Sequence, residues 1–124
     1  MKAAIIGAGN IGAALADGLL KSGNCKSNDI TLTRRSIHSL QELADQGFGV
    51  SADNKGAILN ADVIFLCVLP QQLNAVLAQL QDTIDPQKQL IVSVVTGVTT
   101  KDIGERLVPD VRIIRAMPNT AMRV

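Results

Sequence analysis

Hydrophobic positions along the chain follow two spacings that alternate from one end to the other. Short uninterrupted apolar runs, typical of strands buried on both faces of a parallel sheet, are separated by stretches in which apolar residues recur every three or four positions, as on one face of a helix. Leu73, Val76, Leu77 and Leu80 show the helical spacing most clearly. The apolar runs predict strands at residues 3–6, 30–33, 48–51, 63–68, 90–95 and 111–114.

Capping residues mark the ends of the predicted helices. Gly23 and Gly47 follow the first two helices at positions that favour a left-handed conformation, and Ser36 and Thr99 or Thr100 are predicted N-caps. The helices are predicted over 10–22, 37–46, 55–60 and 73–80, and from about residue 100 onward. This alternation predicts an α/β fold with a doubly wound parallel sheet of about six strands, in a single domain over 1–124.

The composition of the 124 residues is that of a packed globular domain, with 47% apolar and 19% charged residues. A formal net charge of +1 gives no electrostatic footprint for a nucleic acid or an anionic membrane surface. With 2% aromatic residues and no Tyr or Trp, the chain lacks a tyrosine acid and an aromatic platform for stacking bases. We therefore expect neither a nucleic acid nor a membrane as partner.

Cysteine and histidine usage indicates a protein without a metal centre. Cys25, Cys67 and His38 do not stand at a metal-ligand spacing, and two distant cysteines are typical of free thiols in a reducing compartment. The apolar run over 63–69 is too short to cross a bilayer. We expect a cytoplasmic protein with Cys67 as a small buried side chain and His38 on the surface.

Three glycines follow the first predicted strand at the spacing G-x-G-x-x-G and lead directly into the first predicted helix. In a Rossmann fold, Gly7 would allow a tight turn, Gly9 would let the backbone approach a pyrophosphate, and Gly12 would let helix and strand pack closely. The first amides of the helix would then face phosphate oxygens. The alternative is a turn that requires positive φ and binds no ligand. The dinucleotide interpretation assigns cofactor contacts to Ile6, Gly7, Ala8, Gly9, Asn10, Ile11 and Gly12.

The residues that end the second predicted strand distinguish between the two nicotinamide dinucleotides. NAD-binding proteins place an acidic residue there to bind the ribose hydroxyls, whereas this chain has Thr33, Arg34, Arg35 and Ser36, and its Asp29 precedes the strand. Guanidinium groups form bidentate charge-assisted hydrogen bonds with phosphate. The segment therefore favours NADP(H), with its 2′-phosphate, and leaves NAD(H) possible. A solvated basic turn with a serine cap is the alternative.

Three later segments carry signatures that are more specific than the glycine loop. Residues 115–120 read R-A-M-P-N-T, residues 61–71 read A-D-V-I-F-L-C-V-L-P-Q, and residues 93–99 read S-V-V-T-G-V-T. In order and spacing they resemble the R-x-M-P-N-T, A-D-V-x-x-L-A-V-K-P-Q and S-x-A-A-G-V-T motifs of pyrroline-5-carboxylate reductase, the last enzyme of proline synthesis. Leu69 stands at the family's usual Lys position, and Ala121 replaces a common Pro.

The resemblance implies roles for residues that follow the predicted strands, where ligands bind in open α/β sheets. Asn54 stands where the family has an asparagine that contacts the cofactor. The implied cofactor contacts are Thr33, Arg34, Arg35, Ser36, Asn54, Val68, Leu69, Pro70, Ser93, Val94 and Val95. Met117, Pro118 and Asn119 would face the nicotinamide and the substrate, and no residue is assigned as a catalytic acid or base.

The reaction implied by the resemblance is hydride transfer from NAD(P)H to the C=N carbon of 1-pyrroline-5-carboxylate, a cyclic imine carboxylate, which gives L-proline. A protonated imine is already electrophilic, so the protein mainly aligns the two reactants. The match covers only the N-terminal half of a typical family member, whose helical C-terminal domain supplies the dimer interface and much of the substrate pocket. We therefore expect cofactor binding with little or no turnover from this chain, and a homo-oligomer for a full-length form.

Two other functions are compatible with the sequence. The first is another NADP-dependent reductase with the same N-terminal fold, such as a β-hydroxyacid dehydrogenase or a coenzyme F420-type oxidoreductase. The second is a dinucleotide-binding module without catalysis. Binding of NADPH and NADH, and an assay of pyrroline-5-carboxylate reduction, separate these functions.

Overall fold

A parallel six-stranded sheet forms the centre of the protein in a computed structural model that describes residues 1–7, 9–35 and 40–116. The strands follow the order β3-β2-β1-β4-β5-β6 across the sheet. Their bounds are β1 Ala3–Ile6, β2 Ile30–Thr33, β3 Gly49–Ser51, β4 Val63–Leu66, β5 Leu90–Ser93 and β6 Arg112–Arg115. The predicted doubly wound Rossmann-like fold is thereby confirmed, and the strand order reverses between β1 and β4.

The helices connect successive strands and lie on both faces of the sheet. Their bounds are α1 Asn10–Ser22, α2 Gln41–Asp45, α3 Asn54–Ile58, α4 Pro70–Leu80 and α5 Thr100–Glu105, with a short 3₁₀ turn at Ser27–Asp29. Gly23 ends α1 with φ of +82°, and the Thr99 hydroxyl caps α5 by accepting a hydrogen bond from the Asp102 amide at 3.1 Å. Both predicted caps are therefore confirmed, whereas Ser36 and His38 lie outside the described residues.

Two hydrophobic clusters fill the space between the sheet and its helices. The larger cluster contains the apolar stripe of α4, which is confirmed because Leu73, Val76, Leu77 and Leu80 are all buried there. The smaller cluster, on the opposite face, joins β1 and β2 to α1 and includes Leu40. The rigid sheet between them fixes the positions of the loops at its two edges.

Four strands differ in length or position from their predicted ranges, and of these β3 begins at Gly49, one residue later than predicted. β4 ends at Leu66 and β5 at Ser93, although the apolar runs continue to Val68 and Val95. Val68, Val94 and Val95 are buried in the loops that leave the sheet, so their apolar character reflects burial rather than strand pairing. β6 lies one residue later than predicted and begins at Arg112, which pairs with Leu90. The charged side chain is compatible with this position because an edge strand leaves it exposed.

Candidate functional site

The carboxyl ends of the strands form one edge of the sheet, and the predicted cofactor residues follow these ends. The strand register places six residues in one row across the sheet: Ser51, Thr33, Ile6, Leu66, Ser93 and Arg115. The chain leaves the sheet just beyond this row, so the loop after each strand begins at the same edge. This edge is where doubly wound sheets bind ligands.

Gly7 lies where β1 meets β4, the point at which the strand order reverses. Its φ is +84°, and a Cβ atom at this position would lie 2.5 Å from Val68 Cγ1 and 3.1 Å from the Val68 backbone nitrogen. A side chain is therefore excluded both by the backbone conformation and by the neighbouring strand end. The first glycine of the motif is required by the fold itself.

Gly9 differs from Gly7 because the described part of the chain places no other residue against it. Its φ of −91° is one that any residue can adopt, and an added Cβ atom would meet no described residue beyond its chain neighbours within 4 Å. Gly12 is buried on α1. The space beside Gly9 is thus available to a ligand that approaches the backbone, and Ala8 lies outside the described residues.

Among the described residues, no side chain caps the first turn of α1, so none competes with an anion for its amides. Gly9, the N-cap residue, has no side chain to cap the helix, and no acidic residue occurs in the first turn of these 13 residues. Asn10 and Ile11 are exposed. Amide groups at such a terminus carry a partial positive charge that attracts phosphate oxygens.

The end of β2 combines two exposed arginines with one buried threonine. Arg34 and Arg35 are exposed, and the Arg34 amide donates a hydrogen bond to the Ser51 carbonyl at 3.1 Å, which ties this segment to β3. The Thr33 side chain is 1% exposed, and its hydroxyl accepts a hydrogen bond from the Gly7 amide. Ser36 lies outside the described residues.

Acidic groups are distributed as the sequence predicts. Asp29 lies at the opposite edge of the sheet, where its carboxylate accepts a hydrogen bond from the Lys26 amide at 3.1 Å. The residue that pairs with Ile6 at the end of β2 is Thr33 rather than an acid. The strand end that would hold the ribose hydroxyls of NAD therefore carries no carboxylate.

Asn54 is the first residue of α3 and is half-buried. Its side-chain nitrogen donates a hydrogen bond to Gln79 Oε1 at 2.8 Å, which joins α3 to α4. Sequence reasoning did not single out Gln79, because only the packing of two helices brings it to residue 54. In the sequence, the one signal for Gln79 was its position on the polar face of α4, opposite the apolar stripe.

The loop after β4 brings together three of the predicted residues. Val68 is buried against Gly7, Leu69 is 57% exposed, and Pro70 is the first residue of α4. Cys67 lies at the same strand end and is only partly buried, which differs from its prediction, and this partial burial raises the pKa of its thiol to about 12. This thiol stays protonated near neutral pH, so it supplies neither a nucleophile nor an acid there.

The loop after β5 is buried and internally bonded. Ser93, Val94 and Val95 are all buried, and the Ser93 hydroxyl accepts a hydrogen bond from the Val95 amide at 3.2 Å. The predicted nicotinamide-facing residues Met117, Pro118 and Asn119 lie outside the described residues. Strand β6 nevertheless ends at the same edge, immediately before them.

Other parts of the described chain show no competing site with comparable features. A cavity of about 280 Å³ lies between α3 and β2 and is lined by polar side chains that include Lys2, Asp29 and Asn60, but by none of the predicted cofactor residues. Within the described ranges, no three His, Cys, Asp or Glu side chains are grouped as metal ligands. No described helix has the length and apolar character needed to cross a membrane.

Comparison with known proteins places this geometry in a family. Residues 2–97 match the family model described as NADP oxidoreductase coenzyme F420-dependent. The chain belongs to this family. Its resemblance to pyrroline-5-carboxylate reductases extends over nearly the whole chain, well beyond the residues of the three motifs.

Similar proteins include pyrroline-5-carboxylate reductase 2 of Dictyostelium discoideum, which is 41% identical over 97% of this chain and 41% of its own length. A solved pyrroline-5-carboxylate reductase from Coxiella burnetii is 37% identical with a TM-score of 0.89, over 95% of this chain and 44% of that one. A Plasmodium falciparum pyrroline carboxylate reductase with NADP bound shares the fold, with a TM-score of 0.81 at 22% identity, over 97% of this chain and 43% of that one. The chain spans less than half the length of each of these proteins.

Proposed function

We propose that this chain is the dinucleotide-binding portion of a pyrroline-5-carboxylate reductase and that it binds NADP(H) in preference to NAD(H). The observation that carries the proposal is Gly9, whose missing side chain serves neither the backbone conformation nor the packing of the protein. A glycine of this kind is explained by a ligand that must contact the backbone. The space beside it adjoins the first turn of α1.

The pyrophosphate of the cofactor fits this space. The amides of Asn10 and Ile11 would donate hydrogen bonds to it, aided by the dipole of α1. Gly7 would hold the loop against Val68 so that Gly9 stays turned toward the ligand. Ile6, Ala8 and Gly12 would complete the loop from the strand to the helix.

The 2′-phosphate fits the end of β2, where Arg34 and Arg35 are exposed and the strand ends without an acid. Ser36 would add a hydroxyl donor, and Asn54 would approach from the neighbouring strand end. The family description names NADP, and the Plasmodium relative was solved with NADP bound. These observations support NADP(H) over NAD(H).

The nicotinamide half of the cofactor would lie over the loops after β4, β5 and β6. In these loops, or at the ends of the elements that border them, lie Val68, Leu69, Pro70, Ser93, Val94 and Val95, and Met117, Pro118 and Asn119 follow β6 in the sequence. When bound there, NADPH would supply the hydride that reduces the C=N bond of the protonated cyclic imine and gives L-proline. The protein would align the two reactants and exclude water, since a protonated imine needs no strong side-chain acid. A cytoplasmic location and a homo-oligomeric full-length enzyme complete this proposal.

Cofactor titrations of two glycine variants test the proposal. Gly9→Ala and Gly18→Ala each place a methyl group where the described part of the chain leaves space, because neither added Cβ atom meets a residue of that part, other than its chain neighbours, within 4 Å. We expect Gly9→Ala to fold normally and lose NADPH binding, whereas Gly18→Ala, on the exposed side of α1, should bind as the unmodified chain does. Retention of NADPH affinity in Gly9→Ala, or no binding by the unmodified chain, would refute the proposal.

Cofactor preference is tested at the end of β2. We expect Arg34→Ala and Arg35→Ala each to weaken NADPH binding by about tenfold while leaving NADH binding nearly unchanged, since a charge-assisted hydrogen bond contributes about 1.5 to 3 kcal/mol. Arg112→Ala is the matched control, because it removes the same charge from β6, the edge strand on the far side of the sheet from β2. If all three variants lose NADPH affinity equally, net charge rather than a 2′-phosphate site explains the effect.

Substrate turnover tests the second part of the proposal. NADPH oxidation that depends on 1-pyrroline-5-carboxylate should be absent or very slow with these 124 residues, although NADPH binds. The same assay should show turnover once the chain carries a C-terminal portion like that of its longer relatives. Turnover with coenzyme F420 instead of the imine would assign the chain to the alternative reductase that its family description also covers.

A further inference from the structure

The amide of Gly7 lies between two oxygens of the same residue. It donates to the Thr33 carbonyl at 3.2 Å and to the Thr33 hydroxyl at 3.3 Å. The first of these bonds extends the β1–β2 ladder by one step and requires no particular side chain. The second bond depends on the hydroxyl group and thus on the identity of residue 33.

Thr33 is located beneath the glycine loop rather than beside the ligand space. Its side chain is 1% exposed, so its hydroxyl contacts a bound molecule only after the loop has moved. A buried hydroxyl is costly unless it is hydrogen-bonded, and the Gly7 amide donates a hydrogen bond to this oxygen. The structure therefore separates Thr33 from the two exposed arginines that follow it.

A chain of hydrogen bonds connects Thr33 to the ligand space. The Gly7 carbonyl accepts a bond from the Gly9 amide at 2.8 Å, and the Gly9 carbonyl accepts one from Ala13 at 3.0 Å in the first turn of α1. Gly7 is thus bonded through its amide to Thr33 and through its carbonyl to Gly9, so its position is coupled to that of Gly9 and to the first turn of α1. Val68 restrains Gly7 from the β4 side, and the Thr33 hydroxyl restrains it from the β2 side.

We infer that Thr33 is a positioning residue: its hydroxyl fixes Gly7, and through Gly7 it holds the glycine loop in the conformation that receives the pyrophosphate. This inference rests on the proposed dinucleotide binding. It replaces the expectation that Thr33 contacts the cofactor directly at the 2′-phosphate. Restraining a loop before the ligand arrives lowers the entropy lost on binding. The pyrophosphate is common to NADPH and NADH, so the effect is independent of the 2′-phosphate.

Two substitutions separate the hydroxyl from the bulk of the side chain. Thr33→Val keeps the branched shape and removes the hydroxyl, while the Gly7 amide keeps its bond to the residue 33 carbonyl. Thr33→Ser keeps the hydroxyl and loses a buried methyl group. Stability should therefore be equal or higher in Thr33→Val than in Thr33→Ser. We expect the opposite order for affinity, with Thr33→Val weakening NADPH binding by about tenfold and Thr33→Ser remaining within about threefold of the unmodified chain.

The two cofactors distinguish positioning from direct contact. Thr33→Val should weaken NADPH and NADH by the same factor, whereas loss of a direct 2′-phosphate contact would affect NADPH alone. Thr31→Val is the matched control, since it makes the same change two residues earlier in β2, and it should leave both affinities unchanged. A loss confined to NADPH, or no loss with either cofactor, would overturn the inference.

A measurement without cofactor keeps the inference testable if the proposed function fails. Hydrogen exchange of the Gly7 amide, followed by NMR, should be faster in Thr33→Val than in the unmodified chain or in Thr33→Ser. Absence of NADPH binding by the unmodified chain would refute the proposed function, whereas equal Gly7 exchange in all three proteins would refute the anchoring of the loop by Thr33.

Discussion

Gly7 and Gly9 are two positions apart, yet the absence of a side chain has a different purpose at each. The motif assigned a tight turn to Gly7 and the approach of a ligand to Gly9, but it could not show which contact of the fold distinguishes the two positions. That distinction depends on the position of Val68, which is more than sixty residues away in sequence and reaches Gly7 only through the pairing of β1 with β4. The burial of Thr33 beneath the loop depends in the same way on the register between β1 and β2.

Gly7→Ala should destabilise the fold through two separate effects. The left-handed backbone conformation costs a side chain about 1 to 2 kcal/mol, and the contact with Val68 adds a steric cost, so we expect a loss of about 3 kcal/mol in unfolding free energy. Gly23→Ala is the matched control, because its φ of +82° is nearly the same and its added Cβ atom meets nothing within 4 Å. Urea unfolding should show the smaller loss for Gly23→Ala, and equal losses would contradict the steric role of Val68.

Cys67 should be unreactive until the pH is strongly alkaline. Burial raises the pKa of its thiol from 9.0 to about 12, so the folded protein holds this proton more tightly than the unfolded chain does. The stability contributed by the protonated thiol is complete below pH 9 and is lost as the pH rises toward 12. In a Cys25→Ser variant, alkylation of Cys67 at pH 8 should be slow in the folded state and fast in urea. Rapid alkylation of the folded protein would show that the thiol is accessible.

At the scale of secondary-structure elements, a single buried side chain connects α3 to the start of β5. Gln89 is 3% exposed; its amide nitrogen donates to the Ile58 carbonyl at 2.6 Å and to the Ala61 carbonyl at 2.9 Å, and its oxygen accepts from the Asp85 amide at 3.0 Å. Nothing in the sequence distinguishes this residue from Gln87, which is exposed. The distinction arises only when the loops before β4 and β5 meet at the amino edge of the sheet.

Gln89→Leu should destabilise the protein by about 2 to 3 kcal/mol, because it leaves buried backbone groups without a partner. Gln87→Leu makes the same chemical change at an exposed position and should alter the unfolding free energy by less than about 0.5 kcal/mol. Thermal and urea unfolding of the two variants measure the difference. Equal stability of the two would show that the Gln89 bonds are replaced by water.

The elements themselves were predicted well where burial and hydrogen bonding coincide. The α4 stripe, the Gly23 terminus and the Thr99 cap follow from local rules, and each is where the sequence placed it. The ends of β4 and β5 were wrong because Val68 and Val95 are apolar loop residues. An apolar pattern reports burial and does not report whether the backbone is still paired.

At the scale of the whole molecule, the two faces of the sheet are covered unequally. The uniformly apolar sequence of β4 predicted cover on both faces, but Val63 and Phe65 are only half-buried. In the strand register, Leu90 and Val92 of β5 and Ile114 of β6 lie on the same face of the sheet as these two residues, and Ile114 is 53% exposed. Helix α1 packs instead over β1 and β2. A row of apolar side chains therefore remains accessible across β4, β5 and β6.

Contiguous apolar surface of this kind binds hydrophobic dyes and promotes association, whereas isolated exposed apolar residues do neither to a notable extent. Ile114→Lys should therefore lower the fluorescence of the dye ANS in the presence of the protein. It should also reduce self-association, measured as the rise of the sedimentation coefficient with protein concentration. The unfolding free energy should change little because the side chain is already exposed. Leu59→Lys is the matched control, since Leu59 is 65% exposed and follows α3 on the opposite side of the sheet. It should alter neither measurement. If both variants reduce dye binding equally, the effect comes from added charge, and the β4–β6 face is not the surface that the dye recognises.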